Sequence, residues 1–238
     1  MFTSYILQSL FLGIISYTEA IYFHPILTFL LNSMLVVALY NIWEQILYND
    51  LVTIRYDPGK MSYISTNVVK SNYLLGLCPI CLSLLLNFEK HDIQYVKNLG
   101  AIYAAIDCAA LFYNKRMSTN TVIHHITVVL FFILNLFDTY QDGSISKMIM
   151  IYAIFSTFAY LVNFCLGLRL LTSLPRILYR GVFFLYFFLC LANWKYQFEF
   201  MLEYFERPLV KCYGLLLFFV IYDDMVLLHW LSRKTRRS

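Results

Sequence analysis

Apolar residues gather in eight long runs, at about residues 5–23, 26–48, 73–88, 97–113, 121–137, 147–171, 178–195 and 210–231, and polar residues collect between them. A helix needs roughly 20 such residues to cross a bilayer. The seven runs from residue 26 onward predict seven transmembrane helices. The first run carries Gln8 and Glu19 and stops at Pro25, so it reads as a span, an interfacial helix or a half-helix. The expected organisation is an N-terminal hydrophobic segment over 1–24, a transmembrane domain over 25–231 and a basic tail over 232–238.

Composition sharpens this into a class. The chain is 61% hydrophobic and 13% charged, against about 25% charged in soluble domains. It reads as an all-α polytopic membrane protein. The net charge of +4 is concentrated in the tail SRKTRRS. A basic tail after an apolar run marks a cytoplasmic end and not a nucleic-acid surface. The six cysteines lie in or beside apolar runs and read as reduced packing residues. The N-terminus has no basic region and no small-x-small site before Pro25, so no cleaved signal is expected.

The loops alternate in sign. Lys115 and Arg116, then Arg176 and Arg180, then Arg233, Lys234, Arg236 and Arg237 fall at every second connection. Between them lie Asp138 and Asp142, then Glu199, Glu203 and Glu206. The positive-inside rule puts the basic connections and the C-terminus in the cytoplasm. Residues 49–72, with Arg55, Lys60 and Lys70, then read as a further cytoplasmic loop.

This topology assigns depths to the polar residues inside the runs. At about 1.5 Å per residue, His124 and His125 lie roughly 6–8 Å below the cytoplasmic edge, Asp107 roughly 9 Å, and Asn163, Asp223 and Asp224 about 11–12 Å. Ionisable residues within a span are costly and usually face a bundle interior or a watery cavity. One polar pocket lined by the histidines, Asp107 and Asp224 is therefore expected near the cytoplasmic face. Successive helical residues point about 100° apart, so one histidine faces the cavity while the other packs on a neighbouring helix. Tyr103 and Asp107 share a face at i, i+4 and are placed to orient an imidazole. The plainer reading of each residue is a packed, hydrogen-bonded side chain with no further role.

The segment YAAIDCAALFYNKRMSTNTVIHHITVVLFF resembles the centre of the TLC domain, a family of ceramide synthases, translocon-associated membrane proteins and lipid-linked proteins of the endoplasmic reticulum. The shared pattern is Tyr103, Asp107, the basic loop Lys115–Arg116 and the pair His124–His125. Ser156, Thr157, Asn163 and Arg169 resemble a later family segment. Ile154 and Phe155 stand where non-synthase members often carry an acid, and the acids that follow the His pair in ceramide synthases have no counterpart here. The chain is closer to the short members without a homeobox-like extension.

The resemblance implies residence in the endoplasmic reticulum, membrane lipids as partners and N-acyl transfer from acyl-CoA to a sphingoid base. His124, His125 and Asp107 are then the catalytic candidates. Tyr103, Asn163, Asp224, Arg116 and Arg169 are the substrate-binding ones, with Arg116, Arg169 or Arg176 meeting the CoA phosphates. No resident cofactor or metal is expected; acyl-CoA enters as co-substrate. The alternative is a non-catalytic lipid binder or regulator of membrane composition, and homo- or hetero-oligomers remain open. An elongase pattern, His-x-x-His-His, fails at Thr121. Cys78 and Cys81 with the histidines offer four zinc donors, but a Pro79-kinked packing helix is the simpler reading.

Overall fold

The computed structural model describes residues 2–50, 57–87, 92–138 and 143–236. Within them the chain is helical, with no strand: α1 Phe2–Tyr22, α2 Pro25–Asp50, α3 Pro58–Asn87, α4 Ile93–Tyr113, α5 Thr119–Phe137, α6 Ile145–Phe158, α7 Tyr160–Leu168, α8 Arg176–Tyr204 and α9 Pro208–Arg236. Five of these, α2, α3, α5, α8 and α9, are long and apolar enough to cross a membrane, and the bent pair α6–α7 would make a sixth. This is the build of a multi-pass α-helical membrane protein. The seventh expected span, α4, has 21 residues but does not reach the same apolarity.

The reason lies in its surroundings. Ala101, Ala104, Ala105, Ala109 and Ala110 of α4 are all buried. Small side chains let neighbouring helices approach closely. α4 packs against α1, α2, α3, α5 and α6, so helices, not lipid, cover it and it can carry Asn98 and Asp107.

Helices α3, α4, α5, α9, α8 and α6–α7 contact one another in that order and close a ring. α1 and α2 flank it, packing only against α3 and α4 among the stronger helix pairs. The ambiguous first run is thus a full helix of 21 residues. It crosses α3 where Gly13 meets Gly76. A Cβ on Gly76 would fall 2.4 Å from the Ser9 carbonyl oxygen, and one on Gly13 2.7 Å from that of Gly76, so only glycine fits at this crossing.

The ring wall breaks at Ala159, where α6 and α7 meet at 46°. Side chains of α3 donate to carbonyls on either side of the break. Ser71 Oγ donates to the Tyr160 carbonyl at 3.0 Å, and Cys78 Sγ to that of Thr157 at 3.8 Å. The Cys-x-x-Cys segment therefore packs against the break.

The reading of 49–72 as a loop is corrected. α3 begins at Pro58 and runs unbroken to Asn87, so Lys60 and Lys70 are helical; Arg55 lies outside the described residues. The Ser, Thr and Asn content that made this stretch look like a loop is buried instead, with Ser62, Ser65, Thr66, Ser71 and Asn72 all inside the bundle. Glu199 and Glu203 likewise belong to α8 and not to a connection, while Asp142 and Arg237 lie outside the described residues.

Candidate functional site

The ring encloses a cavity of about 420 Å³, toward the end that carries Lys115, Arg116 and the basic last turn of α9. Every element of the ring contributes to its wall, and neither α1 nor α2 does.

Ser118 starts α5: its hydroxyl accepts from the Thr121 backbone N–H at 3.3 Å. That start fixes the angular position of the two histidines that follow. Their rings lie 5.6 Å apart with planes at 89°, so the pair divides its work between two neighbours. His125 turns to α4, its Nδ1 2.8 Å from Asp107 Oδ1, though off the line of a straight hydrogen bond. His124 turns to α6 and α9. Its Nε2 is 3.4 Å from the Tyr152 hydroxyl and its Nδ1 3.4 Å from Asp223 Oδ2.

Asp107 is fully buried and stands behind the cavity wall. Its Oδ1 also receives the ammonium of Lys70, and its Oδ2 has no hydrogen-bond partner. A carboxylate buried without a cation would be strongly unfavourable. Lys70 supplies that cation, and it lines the cavity. Lys70, Asp107 and His125 thus form one contact chain from α3 through α4 to α5.

Seven of the residues singled out in the sequence, His124, His125, Tyr103, Asn163, Asp224, Arg116 and Arg169, line this single cavity, with Asp107 behind it. Their situations differ. Asp224 accepts from the Tyr186 hydroxyl at 2.6 Å and from Trp194 Nε1 at 3.2 Å, so both its oxygens are spent holding α9 to α8. Asp223, its neighbour, is the carboxylate that faces the histidines. Arg116 is engaged by Asp57 at 2.6 Å, across the start of α3. Arg169 donates to the Tyr63 hydroxyl at 3.1 Å and lies 4.4 Å from the centre of the Trp230 ring. Its Nε is buried without a partner. Arg176 is exposed at the start of α8, away from the wall.

Sequence reasoning missed Lys70, Tyr152 and the whole α3 wall. The signal was present: Tyr63, Thr66, Asn67 and Lys70 line the cavity at i, i+3, i+4 and i+7, a polar stripe at helical period. Among the described residues no group of three or more His, Cys, Asp or Glu side chains is arranged to hold a metal. Compared with known proteins, the chain matches no family model, no curated protein and no solved structure.

Proposed function

We propose that the chain is a TLC-like lipid enzyme of the endoplasmic reticulum, with the cavity opening to the cytoplasm and transferring an acyl group from acyl-CoA to the amine of a sphingoid base. The observation that carries this reading is His125, which lines the cavity while its Nδ1 lies 2.8 Å from Asp107. A carboxylate on one ring nitrogen fixes the tautomer and leaves the other nitrogen to a bound molecule.

The chemistry balances without an outside reagent. The amine nitrogen attacks the thioester carbonyl, a C–N bond forms and the C–S bond breaks. His125 takes the proton released by the amine and returns it to the departing thiolate, giving amide and free thiol. Lys70 offers positive charge where the carbonyl oxygen becomes negative. Arg169, with an unpartnered Nε on the wall, suits a CoA phosphate. A volume of about 420 Å³ is in the range of small-molecule sites.

A second reading is a lipid binder without turnover. It draws on the acids that follow the His pair in ceramide synthases and have no counterpart here, and on Asp224, whose oxygens are both occupied.

The test is an assay in membranes lacking their own ceramide synthases, supplied with a sphingoid base and acyl-CoAs of several lengths. The N-acyl product is measured by mass spectrometry. Wild type is expected to form product, and His125→Ala to lose about 100-fold or more of it at equal expression. No product from folded wild type at any chain length refutes catalysis and leaves lipid binding, to be measured by lipid co-purification.

A further inference from the structure

Two smaller spaces lie behind the cavity. One, of about 40 Å³, is lined by residues of α3, α4, α5 and α6, and the other, of about 20 Å³, by residues of α4, α5 and α6. They share Gly100, Asn135, Ile149 and Ala153 as common wall. Among the described residues, Tyr103 is the one that lines both of them and the main cavity. The mechanism proposed above makes no use of it.

Tyr103 is buried, and its ring stands edge-on to that of Tyr152 on α6, with centroids 6.5 Å apart and planes at 82°. Its hydroxyl is within reach of the hydroxyls of Ser156 and Tyr152, and both of those residues line the main cavity. The ring therefore reaches from α4 across to α6 and forms a floor between the cavity and the spaces behind it. Tyr103 is one turn from Asp107 on α4, so the floor lies about 6 Å along the helix from the level of the His125 contact.

Beyond the floor the walls change character. On α3 the lining passes from Lys70 and Leu74 to Leu77, Cys81 and Leu84, and on α4 from Tyr103 back to Leu99 and Val96. Both lines lead away from the basic end of the bundle, over about 10–15 Å at the helical rise. No charged residue among the described ones lines either space. A narrow, buried, mainly apolar path in line with the cavity suits a linear hydrocarbon and not a polar head group. We propose that Tyr103 sets the longest acyl chain the site accepts, an inference that rests on the acyl transfer proposed above for the identity of the chain. The thioester carbonyl lies at His125, the chain points at the Tyr103 ring, and the space behind is closed while the ring is in place. The floor thereby favours short acyl chains.

The test uses the full-length protein in lipid nanodiscs and a ladder of saturated acyl-CoA thioether analogues of increasing length, which bind without turnover. Affinity is read by displacement of a fluorescent short-acyl analogue, and the matching acyl-CoAs are run in the acyl-transfer assay. Wild-type affinity is expected to fall about tenfold or more once the chain outgrows the floor. Tyr103→Ala should move that fall to chains several carbons longer. Tyr103→Leu should move it by less, which keeps the idea testable if the alanine variant fails to fold. Tyr103→Phe, which keeps the ring, and Ile149→Ala, which widens both rear spaces behind an intact floor, should keep the wild-type limit. A limit that is the same in wild type, Tyr103→Ala and Tyr103→Leu overturns the inference in favour of a chain that leaves sideways between helices, and so does a wild type with no limit. A limit that moves in Tyr103→Phe overturns the ring as the barrier. Product formed with an unmoved limit keeps acyl transfer and removes the floor; a limit that moves as expected with no product at any length keeps the floor and removes acyl transfer. No binding of any analogue overturns both.

Discussion

The two polar regions of this bundle share α3 and α4 and solve the same problem in opposite ways. The ring cavity holds charges of both signs, with Lys70, Arg169, Asp107 and Asp223 arranged around about 420 Å³ of open space. Where α1 and α2 meet α3 and α4, a second cluster sets one carboxylate, Glu19, among the neutral side chains Ser16, Thr28, Asn32, Tyr73 and Asn98, all five fully buried. In the cavity, protein charges balance one another and the space is left for a visitor. In the cluster Glu19 has no ion pair among the described residues, and its hydrogen bond comes from the neutral amide of Asn32. A buried charge is thus informative through its partners more than through its depth.

The largest effect should come from breaking the balance in the cavity. Asp107→Leu leaves Lys70 and His125 without their carboxylate and should cost about 3–5 kcal/mol, read as a drop in Tm in detergent. Adding Lys70→Met should recover most of that stability while leaving acyl transfer abolished. A single variant as stable as wild type would show that the cavity is wet enough for Lys70 to stand alone, and the contrast between the regions would fall.

Next in size is the glycine crossing. Gly76→Val puts side-chain atoms where the Ser9 carbonyl lies and should destabilise by about 2–4 kcal/mol by forcing α1 off α3. If the two regions are independent, this variant loses stability while His125 chemistry falls much less. Equal loss of both would mean that α1 supports the ring as well.

Asp224→Asn should cost about 1–2 kcal/mol, since one of the two accepting oxygens becomes a donor facing Tyr186 or Trp194. Asp223→Asn, one residue away, should leave stability nearly unchanged and alter the pH profile of product formation. That pair separates the carboxylate that holds helices together from the one that faces the histidines.

The smallest effect belongs to Asp57, outside the spans. Its slight desolvation pushes the carboxyl upward. The Lys60 backbone N–H, the Arg116 guanidinium and the Gly59 N–H more than offset that, and hold it below the ordinary carboxylate range. A depressed folded pKa contributes stability above the unfolded value near 3.8 that is lost as pH falls through the folded one. Asp57→Ala should therefore lower Tm slightly at neutral pH and not at all near pH 2, in a melt series across pH.

Much of the cavity was legible because membrane solvent makes polar residues conspicuous. His124, His125 and Asp107 stood out against apolar runs, and their helical offsets placed them in one layer. Lys70 was hidden by the opposite circumstance. The start of α3 is sheltered on nearly every side, by the ring and by α1 and α2, so it needs no apolar coat and its sequence reads as a loop. Asp223 and Asp224 could not be told apart for a different reason: adjacency fixes only that they point in different directions, and which one meets a histidine depends on the rotation of α9. The α1–α4 cluster was invisible because it is mostly amide and hydroxyl groups spread over four helices.

The enclosure of α4 also bears on how the chain is made. With Asp107 and Asn98 in its length and alanine along its sides, α4 has little reason to partition into lipid on its own. The helices that shelter it from one side, α1, α2 and α3, leave the ribosome first; α5 and α6 follow. Synthesis in this order means that α4 is handed from the insertion machinery to a waiting protein groove. A nascent chain truncated after α4 would keep that helix in the membrane, whereas α4 presented without its predecessors would slip back to the aqueous side.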